Sequence, residues 1–281
     1  MDNKSPVENG RKTSIGKAQI QYKAASSILT RATGFMNLYD FTLNPYSGCS
    51  FGCTYCYAAF FSRTQQQRDD WGKWVLVKEN AIEQLRKKRK KPLVDKTIYM
   101  SSVTDPYQPL ERELCLTQSI LQELIDYHQV RLVIQTRSPL IMRDIDLFKR
   151  FGHIQINMTI TTDSEIVRKV FEPFCPSNTD RLEAIKTIYK AGIGACITMT
   201  PLLPIDDIEK FINDLKETGV ANFTMQPFHT EKGKFIAGTR QAAMDLLKIY
   251  DWSDAKYNAI EERLKTAFPN MCIGKNGFKP V

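Results

Sequence analysis

Six β-rich segments alternate with helical segments along this chain of 281 residues, and that alternation strongly limits the folds available to it. The predicted strands span 41–46, 97–103, 131–136, 154–162, 193–204 and 221–228. The predicted helices between them span 77–89, 115–127, 144–151, 180–192 and 206–217. Strands that alternate with helices of this length indicate a parallel sheet with right-handed crossovers. Six such units favour an α/β fold built as an open, partial (β/α)6 barrel over a closed eightfold one.

The segments outside this pattern predict two extensions of the core at 41–230. Residues 1–40 have scattered apolar positions without a strong period, and they form a predicted N-terminal extension. Residues 231–281 contain two helical stretches, 239–251 and 253–268. This predicted helical C-terminal extension packs across the open side of the barrel or provides a surface for a partner.

The loop after the first predicted strand carries three cysteines, Cys49, Cys53 and Cys56, in the spacing CxxxCxxC. Cysteine thiolates are the usual ligands of a [4Fe-4S] cluster, which has four irons to satisfy. Three cysteines leave one iron free to bind another molecule. Structural zinc sites prefer four ligands, commonly in two paired halves, and no further cysteine follows before Cys115. The spacing therefore predicts an iron–sulfur site with one open position, at the barrel end where strands terminate and active sites gather.

Composition narrows the setting in which this site works. The seven cysteines are an odd number, and the chain begins MDNKSPVENG without an apolar signal segment. Both features disfavour a disulfide framework and predict a reducing, cytoplasmic environment. No apolar run approaches the roughly 18 residues that cross a bilayer, so we expect a soluble protein.

The formal net charge of +8 would ordinarily favour an acidic partner such as nucleic acid. Six consecutive basic residues at 86–91 supply most of it, and without them the charge is only +2. This run ends the first predicted helix and enters the second strand, at the barrel end opposite the cysteines. It is either a solvated helix end, which suits the helix dipole, or a distal contact to nucleic acid.

Four segments in the same order resemble the spore photoproduct lyase group of the radical S-adenosylmethionine (SAM) enzymes: NPYSGCSFGCTYCYA, SVTDPYQPLER, QTRSPLIMRDIDL and FEPFCPSNTDRLEAIKTIYKAGI. The similarity runs from about residue 20 to about residue 230. It implies a [4Fe-4S] cluster whose open iron is chelated by the amino and carboxylate groups of SAM. It also implies an external electron donor, and homolysis of a C–S bond that yields a 5′-deoxyadenosyl radical.

The resemblance assigns several strand-end residues to the SAM site. Tyr55 takes the place of an aromatic residue beside the adenine. Thr104 and Asp105 end the second strand, where the group places a hydroxyl near the amino end of SAM. Arg137 stands where lyases carry a lysine that reaches the carboxylate or ribose, and Thr159 replaces a serine that touches the cofactor. The alternative is that these polar residues only cap strands and turns.

Other candidates follow from the later segments. Glu172 and Arg181 bracket the loop before the helix at 180–192, and they form either a structural ion pair or a part of the SAM site. The backbone at Thr198 and Met199 is expected to line the adenine pocket. His229 ends the sixth strand over the barrel mouth, where it is either a substrate contact or incidental.

One position departs from the lyase pattern. Ser102, counted among the cofactor-site candidates, stands where lyases carry a cysteine that returns a hydrogen atom to the substrate radical. A serine O–H bond is too strong for that role. Cys115 is a weak substitute, and Cys175 and Cys196 are expected to be buried packing residues. The sequence therefore predicts a radical reaction that needs no such donor or uses another. Cys272, near the C-terminus, is a hydrogen donor, a substrate contact or a packing residue.

Two classes of substrate fit these features. The preferred hypothesis is modification of a ribosomally made precursor peptide, as in the splicease branch, which excises tyramine from a Tyr-Gly site and usually works with a small partner protein. The alternative is a nucleic-acid lyase or repair enzyme, which the positive charge favours. A third possibility, a non-enzymatic electron carrier, is disfavoured because carriers normally bind their clusters through four protein ligands.

Overall fold

The computed structural model describes residues 7–8, 10–228 and 241–281. In chain order the strands are β1 (Val7–Glu8), β2 (Arg11–Lys12), β3 (Ser14–Ile15), β4 (Ala18–Lys23), β5 (Leu29–Arg31), β6 (Phe41–Leu43), β7 (Tyr46–Gly48), β8 (Trp74–Lys78), β9 (Val94–Met100), β10 (Gln129–Thr136), β11 (His153–Thr159), β12 (Gly194–Met199), β13 (Asn222–Met225) and β14 (Cys272–Ile273). The α-helices are α1 (Gln65–Asp69), α2 (Ala81–Arg86), α3 (Glu111–Leu114), α4 (Leu116–Tyr127), α5 (Ile145–Phe148), α6 (Glu165–Phe171), α7 (Asn178–Lys190), α8 (Ile208–Glu217), α9 (Gln241–Ile249) and α10 (Asp254–Ala267). Short 3-10 segments lie at Gly34–Met36, Tyr57–Phe61, Lys87–Lys90, Pro139–Asp144 and Gly274–Gly277.

The main sheet has eight strands in the order β5-β6-β9-β10-β11-β12-β13-β14. From β6 to β14 every neighbouring pair is parallel, whereas β5 runs antiparallel to β6. Within the described part of the chain the edge strands β5 and β14 do not pair with each other, so the sheet stays open. The predicted α/β fold with a mostly parallel, partial barrel is therefore confirmed.

Several predicted boundaries were wrong. The first predicted strand divides at Asn44 and Pro45, and its two halves, β6 and β7, belong to different sheets. The helix predicted from residue 77 begins only at Ala81, because Val77 and Lys78 end β8. The strand predicted at 193–204 ends at Met199. In addition, β14 adds a parallel strand to a C-terminal extension predicted to be helical.

A second sheet joins the N-terminal extension to the core. Its order is β3-β4-β8-β7, with β4 parallel to β8 and the other neighbours antiparallel. Its buried side chains form a separate apolar cluster that includes Ile20, Tyr46, Val75 and Leu110. Because β7 lies in this sheet and ends directly before Cys49, the sheet anchors the start of the cysteine loop.

Alternation along the main strands separates two apolar regions. Ile98 and Leu132 point to the large core that also contains the inward side chains of α2, α4 and α7, whereas Tyr99 and Val133 point to the opposite face. Successive side chains of a strand lie on opposite faces of the sheet. Because the helices cover the first face, the second face is the interior of the partial barrel. Phe278 from the C-terminal segment packs there against Tyr99, with ring centroids 6.3 Å apart.

Hydroxyl caps fix the starts of α6 and α7, the two helices that follow β11. Ser164 accepts a hydrogen bond from the Val167 amide at the start of α6, and Ser177 accepts one from the Asp180 amide at the start of α7. Such caps satisfy amides that have no partner within the helix. None of the helices in residues 7–8, 10–228 and 241–281 is long and apolar enough to cross a membrane.

Candidate functional site

The cysteine loop follows β7 and depends on two glycines with positive φ. Gly48 has φ +73°, and a Cβ there would lie 2.5 Å from the carbonyl oxygen of Trp74. Gly52 has φ +57°, and its Cβ would lie 3.1 Å from the Cα of Gly72. The loop therefore passes close to the backbone at β8 and to Gly72, where side chains larger than hydrogen are excluded.

The three loop cysteines are free thiols, two of them buried and Cys56 half-buried. Burial raises the pKa of Cys49 well above its usual range and that of Cys56 to about 12. A hydrogen bond with Cys175 lowers the pKa of Cys53 against the opposing effect of burial. A proton must therefore leave Cys49 and Cys56 before either can bind a metal as a thiolate.

The loop fits an iron–sulfur cluster better than a single metal ion. Among the described residues no group of three or more His, Cys, Asp or Glu side chains is arranged to hold one ion. A cluster makes a different demand, because each thiolate binds its own iron. The loop offers three thiols within residues 49–56, and the buried hydroxyls of Ser50 and Thr54 have no hydrogen-bond partner in the described structure. The thiols of Cys49, Cys53 and Cys56 would hold the cluster.

A charged network centred on Glu172 contacts Tyr55 of the cysteine loop. The Glu172 carboxylate is 2.6 Å from the Arg181 guanidinium and 3.5 Å from that of Arg137. Tyr55 and Thr161 donate hydrogen bonds to the same carboxylate, and Arg137 donates one to the Tyr55 hydroxyl at 3.1 Å. Burial alone would raise the pKa of Glu172, but the two guanidinium groups outweigh it and lower that pKa to about 2. Glu172 is therefore ionised at neutral pH.

Asp105 joins the ends of β9 and β10. Its carboxylate accepts hydrogen bonds from the Thr136 hydroxyl at 2.7 Å and from the backbone amides of Arg137 and Tyr107 at 2.8 and 2.9 Å. Burial nevertheless raises its pKa above the usual value. Thr104 donates to the Gly48 carbonyl at 2.6 Å, which ties the end of β9 to the start of the cysteine loop.

Two hydroxyls meet on the interior face further along the sheet. Thr159 and Thr198 lie 3.1 Å apart, and both accept hydrogen bonds from the Gln135 amide. The Thr159 carbonyl also accepts a hydrogen bond from Arg181 at 3.1 Å, which connects this pair to the charged network. Met199 differs, because its side chain belongs to the large apolar core. Met199 is the last residue of β12, and only its backbone is available at the end of that strand.

Ser102 lies beside the cysteine loop but outside the charged network. Its hydroxyl accepts a hydrogen bond from the Asn44 side chain at 3.2 Å, and its carbonyl accepts one from Tyr57. The structure thus brings Tyr55, Arg137, Glu172 and Arg181 into one group and places Ser102 at its edge.

Sequence reasoning missed two members of this region. Cys175 is buried as expected, but its sulfur also lies 3.6 Å from that of Cys53, a contact that was not foreseen. Gln135 organises the two threonines, although only its interior position on a predicted strand could have indicated this. Cys196 is buried as expected, with its sulfur 3.6 Å from the Thr224 hydroxyl. His229 lies outside the described residues.

The basic run lies at the opposite ends of the strands, in the segment that leads into β9. Arg89 donates two hydrogen bonds of 2.6 Å to the Glu123 carboxylate, and Arg86 lies 3.9 Å from the same group. The arginines of the run are therefore partly neutralised by α4, while Lys87, Lys88 and the two following lysines complete its charge.

The sequence profile of the radical SAM superfamily matches residues 43–217, a segment that contains the cysteine loop and the charged network. This chain belongs to the radical SAM superfamily. The enzymes of this superfamily use SAM and a [4Fe-4S] cluster, so both cofactors are implied for this chain.

Three known proteins are similar to this chain. The uncharacterised protein MJ0683 of Methanocaldococcus jannaschii is 39% identical over 177 residues, which make up 63% of this chain and 66% of that protein. A spore photoproduct lyase complexed with dinucleoside spore photoproduct has a TM-score of 0.59 at 13% identity, over 91% of this chain and 81% of the lyase. Streptococcus suis SuiB bound to the precursor peptide SuiA has a TM-score of 0.51 at 13% identity, over 83% and 48%. At such identities these structures show a shared fold.

Proposed function

We propose that Cys49, Cys53 and Cys56 hold the cluster of this radical SAM enzyme and that the enzyme modifies a ribosomally made precursor peptide. When bound, the cluster and SAM supply a 5′-deoxyadenosyl radical that abstracts a hydrogen atom from the substrate. The chain's own contribution is to bind both cofactors side by side and to hold the substrate. The observation that supports cofactor binding is the contact of Tyr55, from the cysteine loop itself, with Arg137 and Glu172.

The exposure of the two arginines suggests different roles toward SAM. The Arg137 side chain keeps 17% of its surface accessible, whereas Arg181 has none. We assign Arg137 to the carboxylate or ribose of SAM, because a guanidinium fork matches either set of acceptors. Arg181 then acts as a positioning residue that holds Glu172. Asp105 and Thr104 fix the adjoining strand end.

The remaining candidates suit the nucleoside part of SAM. Thr159 and Thr198 offer hydroxyls near the ribose, and the backbone at Met199 borders the adenine. Ser102 and Tyr55 complete the set at the edge of the cysteine loop. Each side-chain assignment predicts weaker SAM binding after substitution, measurable by calorimetry on the reconstituted protein.

The lining of the barrel interior favours a peptide substrate. Interior positions on three adjacent strands include amides and hydroxyls, and Gln155 donates to Asn157 at 2.8 Å just as Gln135 donates to Thr159. Side-chain amides can both donate to and accept from a peptide backbone. A nucleic acid requires cations near its phosphates, and the basic run lies at the far end of the strands. We therefore favour the peptide class, including splicease-type excision of tyramine with a small partner protein.

A nucleic-acid lyase or repair activity is the second candidate. It is favoured by the likeness to a lyase that binds a dinucleoside photoproduct and that shares more of its length with this chain than SuiB does. It is opposed by Ser102, because the thiol that would return a hydrogen atom at that position is replaced by a hydroxyl.

The test uses protein reconstituted anaerobically with iron and sulfide, then reduced with dithionite in the presence of SAM. Iron content and the electron paramagnetic resonance (EPR) signal report the cluster, and 5′-deoxyadenosine reports cleavage of SAM. Alanine at Cys49, Cys53 or Cys56 should remove the cluster, whereas Cys115→Ala should retain it. An unchanged iron content in all three variants would reject the cluster assignment.

Substrate class is tested by isotope transfer. A precursor peptide encoded beside the gene, fully deuterated, should transfer deuterium to 5′-deoxyadenosine and change in mass. A deuterated dinucleoside photoproduct should not. Transfer from the photoproduct alone would replace the peptide proposal with the nucleic-acid one.

A further inference from the structure

The cysteine loop is interlocked with the segment that follows α6. The amide of Thr54 donates to the Phe171 carbonyl at 2.8 Å, and the sulfurs of Cys53 and Cys175 lie 3.6 Å apart. Within residues 53–55, each residue thus has a partner in 171–175, since Tyr55 contacts Glu172. These contacts hold Cys175 beside the cysteine loop.

Buried hydrogen bonds hold Cys175 in place. Arg168 donates to the Cys175 carbonyl at 2.7 Å, and the Cys175 amide donates to the Glu172 carbonyl at 3.1 Å. Both the Arg168 and Cys175 side chains are almost fully buried. The thiol consequently has little freedom to turn away from Cys53.

Binding of a cluster decides which sulfur donates the hydrogen bond. A cysteine that ligates iron does so as a thiolate and has no proton to donate. Cys175 is not part of the CxxxCxxC loop and keeps its S–H, which is a weak donor. The hydrogen bond must then run from Cys175 to the sulfur of Cys53.

Hydrogen bonds to cluster sulfurs are among the factors that set the reduction potential of an iron–sulfur cluster. Reduction adds negative charge, and part of it lies on the sulfurs. A donor aimed at a sulfur stabilises the reduced state more than the oxidised state, so it makes the potential less negative.

We propose that Cys175 is a positioning residue whose thiol donates a hydrogen bond to the sulfur of Cys53 and makes the cluster easier to reduce. This inference rests on the proposed function, because it requires Cys53 to be a cluster ligand. Cys175 acts through Cys53 and leaves the open iron free for SAM.

The decisive measurement is a reductive titration followed by EPR on reconstituted wild-type, Cys175→Ala and Cys175→Ser proteins. We expect the alanine variant to retain wild-type iron and sulfide content but to have a more negative potential. The serine variant, whose hydroxyl can donate, should recover part of the shift. Equal potentials in wild type and the alanine variant would overturn the inference, as would loss of iron from that variant alone, which would make Cys175 a ligand.

A second measurement does not need the cluster. In cluster-free protein, diamide should oxidise Cys53 and Cys175 to a disulfide, since the two thiols lose two hydrogen atoms and the diamide becomes the hydrazine. Peptide mapping should find the 53–175 link in wild type and none involving Cys115. If wild type binds no cluster yet forms this link, the proposed function fails while the contact stands. If the link never forms, the contact itself is wrong.

Discussion

The guanidinium of Arg181 lies 2.6 Å from the carboxylate of Glu172, and neither side chain has any exposed surface. Glu172 lies in the loop after α6 and Arg181 lies in α7, so the pair fixes the loop that also carries Cys175. Arg137, directly after β10, contacts the same carboxylate. A buried charge is costly unless it is paired, so the three groups are stable only together.

Replacing Glu172 should therefore destabilise the fold strongly. Glu172→Gln leaves the buried guanidinium of Arg181 and the half-buried one of Arg137 without their counter-charge, and we expect a loss of about 3–5 kcal/mol in the free energy of unfolding. Glu209→Gln is the matched control, because Glu209 pairs with Arg263 at the surface and exposed pairs are worth about 0–1 kcal/mol. Urea denaturation at pH 7 measures both. Equal losses would contradict the importance of the buried network.

The stability difference between wild type and Glu172→Gln should depend on pH. The pKa of Glu172 is lowered from 4.5 to about 2 in the folded state, so its contribution is complete above the unfolded value. It is lost as pH falls from about 4.5 toward 2. The stability difference between wild type and Glu172→Gln should therefore be constant from pH 7 to pH 5 and shrink below pH 4. A gap as large at pH 3 as at pH 7 would show that the carboxylate charge is not its source.

Gly48 offers a test of the cysteine loop. An alanine there is strained by the positive φ and meets the Trp74 carbonyl oxygen at 2.5 Å. Gly192→Ala is a close control, because Gly192 has φ +78° but nothing lies within 4 Å of the added Cβ. Both variants bear the strain of about 1 kcal/mol, and only Gly48→Ala must also displace β8. We expect a small fall in melting temperature for Gly192→Ala, a clearly larger fall for Gly48→Ala, and reduced iron uptake for Gly48→Ala alone.

Much of the fold could be predicted because the apolar runs of β9 to β13 are buried toward their carboxyl ends and separated by clear helical segments. Trp74–Lys78 was missed since five alternating residues beside a helix are ambiguous by periodicity. Its identity as a strand depends on pairing with β4 and β7, and both of these strands lie well before it in the sequence. The two-residue β14 likewise exists only through its partner β13.

The site shows the same division between local and tertiary information. The spacing of Cys49, Cys53 and Cys56 is a local signal, and it indicated their shared role. Cys175 lies in a loop 122 positions from Cys53 with no motif that relates the two. Only the packing of α6 against the cysteine loop brings their sulfurs together, and a single sequence does not contain that distance.

Phe278 should be important for stability although only three residues follow it in the sequence. Its ring is buried against Tyr99 and Phe35 on the interior face of the sheet. Phe278→Ala removes that packing, and we expect a loss of about 3–5 kcal/mol. Ile249→Ala is the control, since Ile249 is 78% exposed and should change stability by less than about 0.5 kcal/mol. Similar melting temperatures for the two variants would show that the C-terminal segment is not part of the core.

Lys78 should be a source of instability that depends on pH. It ends β8 opposite Lys23 of β4, and burial lowers its pKa from 10.5 to about 8. Below pH 8 the side chain is charged in both states and the cost of burying that charge is complete. As pH rises from 8 to 10.5 the unfolded chain binds more protons than the folded one, so wild type gains stability. Lys78→Met should therefore stabilise the protein by about 1–3 kcal/mol at pH 7, with an advantage that fades toward pH 10.5.

The control for this effect is Lys88→Met, because Lys88 is exposed. Urea denaturation of the three proteins at pH 7 and pH 10 separates the outcomes. A methionine at position 78 that stabilises equally at both pH values would be acting through added apolar packing alone. A decline toward pH 10, absent from the Lys88 variant, would identify the buried ammonium group as the cause.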